Sequence, residues 1–330
     1  MLSRQGGKVN RNGQPRVLVL FPGSVGDFLC VLPAIAALRD LSSEEEIEVV
    51  ARGEALEMAQ QIGWIRQVSS LERGLFAQLF SPLPAAGSEE VSGTVAGVTA
   101  VFSWYGHAHA EVRTNLTHLF SQARVQSFAF FAGQADCHAS AYYLRCVGVE
   151  ELRCPSVAVD EEDRQWLDRY WECHVWQATS RMLVIHPGSG GQKKRWAPAG
   201  FEQVARWWRG RKHGKVLVLL GPAEEQEKER WRRVAEVEKG LSLRQAATLL
   251  GRAELYLGND SGVSHLAGAV GARGVVLFGP TRPQQWRPLG GALSVLQNAP
   301  YRAAQPHAPG ISLAEISVEE VLAGLAHHVG

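Results

Sequence analysis

The stretch Leu255-Tyr256-Leu257-Gly258-Asn259-Asp260-Ser261-Gly262-Val263-Ser264-His265-Leu266-Ala267-Gly268-Ala269-Val270-Gly271 decides the fold. A short apolar run opens it, small polar residues follow, and an apolar segment closes it. A second apolar run, Val275-Val276-Leu277-Phe278, comes next and stops at Gly279-Pro280-Thr281. The order reads strand, tight loop, helix, strand, the repeating unit of a parallel α/β sheet. Ser261 and Gly262 can offer hydroxyl and backbone N–H donors to a phosphate at the start of the helix. A carboxylate repels such a ligand, so Asp260 is better suited to accept from sugar hydroxyls or loop N–H groups. Together these residues suggest a nucleotide-sugar site.

The same alternation runs along the rest of the chain. Val17-Leu18-Val19-Leu20-Phe21 is typical of a strand buried on both faces, and the loop Pro22-Gly23-Ser24-Val25-Gly26-Asp27 follows. The next segment has helical spacing, with Pro33 either kinking the helix or marking its effective start. Strands are expected at Ile47–Ala51, Val98–Phe102 and Ser127–Phe131, and the Pro-, Gly- and Ser-rich segment 81–97 reads as loop. The charged, Trp-rich segment 160–180 is expected to form a helix and an interdomain linker. Met182–Ile185 restarts the pattern and leads into His186-Pro187-Gly188-Ser189-Gly190-Gly191 and Lys193-Lys194-Arg195-Trp196. A helix is expected over about 198–208. The strand Val216–Leu220 ends in Gly221-Pro222-Ala223-Glu224-Glu225, Ser242 can N-cap Leu243–Leu250, and a last helix is expected near 317–327.

This predicts an α/β chain of two doubly wound, Rossmann-like domains that face across a ligand cleft at the carboxyl ends of their strands. The expected divisions are a flexible tail at 1–15, a first domain at 16–175, a second at 176–315, and a C-terminal helix at 316–330. With 330 residues, the chain is long enough for both cores. Its 34 basic and 33 acidic residues leave a net charge of +1, which argues against a nucleic-acid partner. No apolar run approaches a membrane span, and the polar N-terminus lacks the apolar core of a secretory signal. The five cysteines include no Cys-x-x-Cys pair. Cys137, His138, Cys173 and His174 fit no standard zinc spacing, so reduced thiols are expected.

Four blocks, in order, resemble glycosyltransferase family 9, the ADP-heptose:lipopolysaccharide heptosyltransferases. They are Gly23-Ser24-Val25-Gly26-Asp27 with Leu32-Pro33-Ala34; His186-Pro187-Gly188 with Lys194-Arg195-Trp196; Gly221-Pro222 with Glu224 and Glu225; and Asn259-Asp260-Ser261-Gly262 with Ser264-His265-Leu266 and Gly279-Pro280-Thr281. The resemblance implies a GT-B fold, with acceptor mostly on the first domain and nucleotide sugar mostly on the second. It also implies a C-terminal helix that packs back on the first domain. The implied reaction is transfer of a heptose from ADP-heptose to a lipopolysaccharide inner-core or lipid A precursor acceptor. It implies a cytoplasmic enzyme in peripheral contact with the inner membrane, and a monomer is expected. The alternatives are another nucleotide sugar or acceptor glycan within the family, or a non-catalytic nucleotide-sugar-binding assembly protein.

Such transfer needs a base for the acceptor hydroxyl and positive charge for the leaving diphosphate. Asp27, opening a helix after a Gly-containing loop with Gly26 beside it at the acceptor side, is the candidate base; the resemblance places the family's catalytic Asp there. The alternative for Asp27 is stabilisation of its own helix N-terminus. Lys194 is the candidate diphosphate partner because the family motif places its lysine directly before Arg-Trp, with Lys193 and Arg195 as competitors. Gly188 and Ser189 keep the loop small enough for phosphate approach. Glu224 or Glu225 suits the ribose hydroxyls, and spacing does not separate the two. His265 is a ligand contact or a core histidine, and Thr281 a ligand contact or a turn residue. No Asp-x-Asp follows an apolar strand, so no metal is expected, and the ADP-sugar is a co-substrate rather than a cofactor. Arg206, Arg209, Arg211, Lys212 and Lys215 with Trp207 and Trp208 suit anionic lipid or a helix C-terminus. Arg52, Arg66, Arg73 and Arg113 are candidates for acceptor phosphates.

Overall fold

A computed structural model describes residues 14–42, 44–81, 89–131, 136–177, 179–211, 213–297 and 313–329. The expected flexible tail falls almost wholly outside them. The chain divides into two compact units, one of Met1–Ser24 and Ala34–Ala132, the other of Val25–Pro33 and Gly133–Gly330.

The first unit contains β1 (Arg16–Leu20), the C-terminal part of α1 (Val25–Leu41), β2 (Glu46–Ala51), α2 (Gly53–Gln61), β3 (Gln67–Ser70), α3 (Gly74–Ala77), α4 (Glu89–Val95), β4 (Val98–Ser103), α5 (Ala110–Leu119) and β5 (Arg124–Ser127). Its sheet has the order β3-β2-β1-β4-β5, and all its pairings are parallel. Its core gathers Leu18, Leu20, Val50, Val101, Val112 and Leu116. Arg16 and Glu48 close the bottom of β1 and β2 with a buried ion pair at 2.8 Å, and Ser69 donates to the same carboxylate at 2.8 Å.

The second unit continues with α6 (Ala139–Cys146), α7 (Glu161–Cys173), β6 (Arg181–His186), α8 (Pro198–Arg209), β7 (Gly214–Leu220), α9 (Lys228–Trp231), β8 (Glu236–Lys239), α10 (Leu243–Arg252), β9 (Leu255–Asn259), α11 (Gly262–Ala269), β10 (Arg273–Leu277), α12 (Pro283–Trp286), β11 (Ala292–Leu296) and α13 (Val318–His327). Its strand order is β11-β10-β9-β6-β7-β8, again all parallel. The order reverses between β6 and β9, and such a switch point opens a crevice beyond the strand ends. Leu183, Ile185, Trp208, Val218, Val275 and Leu325 belong to its core.

Several expectations are corrected. Pro33 is interior to α1, which starts at Val25. Phe28, Leu29, Val31, Leu32, Ile35 and Leu38 are all buried, so packing all round the helix outweighs one lost backbone bond. The strand expected at Ser127–Phe131 ends at Ser127, where pairing with β4 stops. Phe128 beyond it stacks on Trp104 with centroids 5.5 Å apart. The expected loop at 81–97 contains α4.

The second unit begins before the expected boundary at 175/176. Its α7 is no linker. A capping box of Asp160 and Asp163 opens that helix, Arg244 on α10 pairs with both carboxylates, and the Tyr170 hydroxyl donates to Glu238 at 3.1 Å. The helix α13 packs on α8, β10 and β11 of the second unit, with Val321 and Leu325 in that unit's core. Its apolar stripe is thereby covered within the second unit. None of the five cysteines is paired in a disulfide. His138 caps α6 and His174 stacks on Tyr170 at 4.1 Å, and among the described residues no three His, Cys, Asp or Glu side chains gather as a metal cluster. No helix among them is long and apolar enough to cross a membrane.

Candidate functional site

Each sequence block of the second unit follows the carboxyl end of a parallel strand, and this brings them together. His186-Pro187-Gly188 leaves β6, Gly221 leaves β7, Asp260 leaves β9, and Gly279-Pro280-Thr281 follows β10. Asn259, fully buried at the end of β9, ties two of these blocks. Its side-chain N–H donates to the Pro187 carbonyl at 2.7 Å and its Oδ1 accepts from the Trp196 N–H at 3.1 Å. Alternation along a strand sends Asn259 and Asp260 to opposite sides, and the sequence reading gave Asn259 no role.

Asp260 is the hub of the crevice. Its Oδ2 accepts from the Lys194 ammonium at 2.8 Å and from the Thr281 hydroxyl. Its backbone carbonyl accepts from Ser189 Oγ at 2.7 Å, and its N–H donates to the Leu277 carbonyl at 2.9 Å. The carboxylate side chain is 6% exposed and the Lys194 side chain 34%, so the ammonium can still reach solvent or a ligand. Lys194 stands apart from its two competitors. Arg195 turns away, its fork donating to the Ser189 carbonyl at 2.8 and 3.1 Å and pairing with Glu224 at 2.7 Å. Lys193 is exposed.

The two glutamates separate as well. Glu224 is buried against the loop that follows β6: a methyl group on Gly188 would lie 2.7 Å from its carboxyl. Glu225 is exposed and pairs with Lys239 at 2.7 Å, and that cation holds its carboxyl below the usual range. Beneath the loop, His186 donates from Nδ1 to the Leu219 carbonyl at 3.0 Å. Burial pushes its imidazole down to about 4, so the ring is neutral at pH 7.

The start of α11 completes the site. Ser261 is the N-cap, accepting from the Ser264 N–H at 3.3 Å, so its oxygen is turned onto its own helix. Gly262 packs so tightly that a methyl group there would lie 2.5 Å from Val25 Cγ1 on α1. This contact draws the first turns of α1, with Gly26 and the half-buried Asp27, into the second unit. His265, one turn into α11, is buried and has its pKa lowered by desolvation; Asp260 and Asp27 oppose that shift and Lys194 adds to it. Gly26, Asp27, Gly188, Ser189, Lys194, Glu224, Asp260, Ser261, Gly262, His265 and Thr281 therefore all belong to the second unit, and of the two candidate glutamates Glu225 is the one turned to the surface.

The family model of glycosyltransferase family 9 (heptosyltransferase) matches residues 135–309. The chain belongs to glycosyltransferase family 9. It is thus a transferase. Solved structures with the same fold include the glycosyl transferase family 9 of Veillonella parvula DSM 2008, at 19% identity with 96% of this chain and 97% of that chain covered and a TM-score of 0.76. The E. coli ADP-heptose lps heptosyltransferase II gives 16% identity, coverage of 95% and 98%, and a TM-score of 0.73. The E. coli heptosyltransferase WaaC with ADP gives 16% identity, coverage of 95% and 99%, and a TM-score of 0.63. These likenesses bear out the GT-B class for the transferase. No curated protein matches the chain.

Proposed function

We propose that this family 9 transferase moves a heptose from ADP-heptose to a lipopolysaccharide inner-core acceptor, with inversion and without a metal. The observation that carries the reading is the Lys194–Asp260–Thr281 cluster at the sheet's switch point, beside the N-terminus of α11. The names of the E. coli relatives support the choice of donor and acceptor.

Asp27 takes the proton from the acceptor hydroxyl as that oxygen bonds to the anomeric carbon. The bond from that carbon to the diphosphate oxygen breaks on the opposite face, and ADP departs. Charge grows on the leaving oxygen in the transition state, so a cation placed there lowers the barrier more than it strengthens ground-state binding. Lys194 supplies that charge, with N–H groups at the start of α11. Asp260 holds the ammonium in place until the diphosphate arrives and then accepts from sugar hydroxyls. Glu224, shaped by Arg195, is the carboxylate assigned to the ribose. The protein acts as a monomer on the cytoplasmic face of the inner membrane, in peripheral contact with it.

The test is transfer from ADP-heptose to a defined core acceptor, followed by mass. A product heavier by one heptosyl unit supports the reading; no product with ADP-heptose but product with another nucleotide sugar overturns the donor. Activity should survive EDTA, and loss restored by Mg²⁺ or Mn²⁺ overturns metal independence.

A further inference from the structure

Gly26 and Cys30 lie one turn apart on α1, so their side-chain positions share a face. The His265 imidazole rests on that face. A methyl group at Gly26 would sit 3.3 Å from His265 Cδ2, and Cys30 Sγ is 3.8 Å from His265 Nδ1. The first residue of α11, Gly262, meets Gly26 and Val25 just beyond. Asp27 directly follows Gly26, and its charge reaches both the imidazole and the thiol.

We propose that Cys30 is a positioning residue whose S–H donates to His265 Nδ1 and so keeps the ring proton on Nε2. A neutral imidazole has one donor nitrogen and one acceptor. Whichever nitrogen accepts from a fixed neighbour leaves the other as the donor. An Nε2–H suits a phosphate or sugar oxygen; a bare Nε2 would repel one.

The two partners are in the forms this bond needs. Burial pushes the Cys30 thiol up, with Asp27 adding to it, so the S–H is retained. Burial holds His265 neutral against Asp260 and Asp27, with Lys194 on the same side as burial. His138, the other imidazole near the ring, is itself neutral and already engaged with the Arg287 carbonyl at 2.8 Å. An S–H is a weak donor, but both groups are buried, which strengthens the bond, and the Ser140 hydroxyl is the other hydrogen-bonding side chain at the thiol. The seat depends only on α1 and α11; its value to catalysis rests on reading His265 as part of the nucleotide-sugar site.

The test is a ¹⁵N spectrum of the full chain labelled at histidine, with His265 assigned through His265→Gln. The wild-type ring is expected to carry its proton on Nε2. A wild-type ring protonated on Nδ1 overturns the proposal, with no variant needed. In Cys30→Ala the tautomer preference should weaken and kcat should fall about 3- to 10-fold, the worth of one modest hydrogen bond. Cys30→Ser should restore part of both. Unchanged tautomer in Cys30→Ala, whatever happens to the rate, overturns it, because Cys30 then only fills space. The spectrum needs no sugar donor, so failure of the heptosyl reading and failure of the seat are told apart: the first shows in transfer assays alone, the second in the imidazole signals.

Discussion

Lys194 Nζ lies 2.8 Å from Asp260 Oδ2, and that carboxylate also takes the Thr281 hydroxyl. Two sequence blocks, one carrying Lys194 and the other Asp260 and Thr281, meet at one oxygen. The ammonium assigned to the diphosphate is held by a carboxylate. Lys194→Met should therefore do two things. It removes the charge that offsets the leaving group, lowering kcat by about 10²- to 10³-fold. It also leaves a buried carboxylate without its cation. Lys194→Arg should rescue poorly, because a planar fork does not replace a compact ammonium. Steady-state kinetics of the two variants check this, and near-normal kcat in Lys194→Met would remove the residue from the role.

Arg195 and Lys239 make a second, contrasting prediction. Arg195 serves a Glu224 carboxylate that is 6% exposed, and breaking a buried pair on one side costs about 3 kcal/mol. Arg195→Ala should lower the urea midpoint clearly and weaken ADP binding as the loop after β6 loosens. Lys239→Ala, which removes the partner of exposed Glu225, should leave stability and ADP affinity unchanged. Equal effects in the two variants would put the ribose carboxylate back in doubt.

Gly262→Ala places a methyl group 2.5 Å from Val25 Cγ1. Overpacking of this kind costs about 1–3 kcal/mol. The strain falls between the α11 N-terminus and the turn carrying Asp27, so transfer should fall more than stability explains. Denaturant melts alongside kinetics at a temperature where the variant is folded separate the two effects.

Acid should destabilise the fold through His186 and His138. Burial brings each to about 4 in the native chain, against about 6.5 unfolded. Between those values the unfolded chain binds protons that the native chain does not. Stability is therefore full above about 6.5 and is lost as pH falls towards 4, by about 3 kcal/mol for each ring. His186→Gln should flatten the decline in urea midpoint between pH 7 and pH 5. An unchanged slope would mean that His186 titrates normally.

The central strands were legible because a strand buried on both faces is an apolar run: Val17–Leu20, Val216–Leu220 and Val275–Leu277 announce themselves. The edges were not. Gln-Val-Ser-Ser at β3 and Glu-Val-Glu-Lys at β8 are short and polar, as sheet edges tend to be, and β5 was displaced onto the apolar Phe128–Phe131. The division between units was misplaced because no composition shift marks it; what fixes segment 160–177 is Arg244 and Glu238, far along the chain. In the site, small and charged residues after apolar strands were readable. Which member of each adjacent pair turns inward depends on the local path of a short 3₁₀ turn, Pro222–Glu227 for Glu224 and Glu225 and Gln192–Lys194 for Lys194 and Arg195, and leaves no periodic signal. Cys30 was invisible as a site residue because its partner is on α11.

The most direct measurement is single-turnover transfer by Asp27→Asn together with its ADP affinity by calorimetry. The account predicts that transfer is lost while ADP binds nearly as tightly as to the unaltered enzyme, since Asn keeps the shape of the side chain and cannot take the proton. Transfer at close to the normal rate would contradict it.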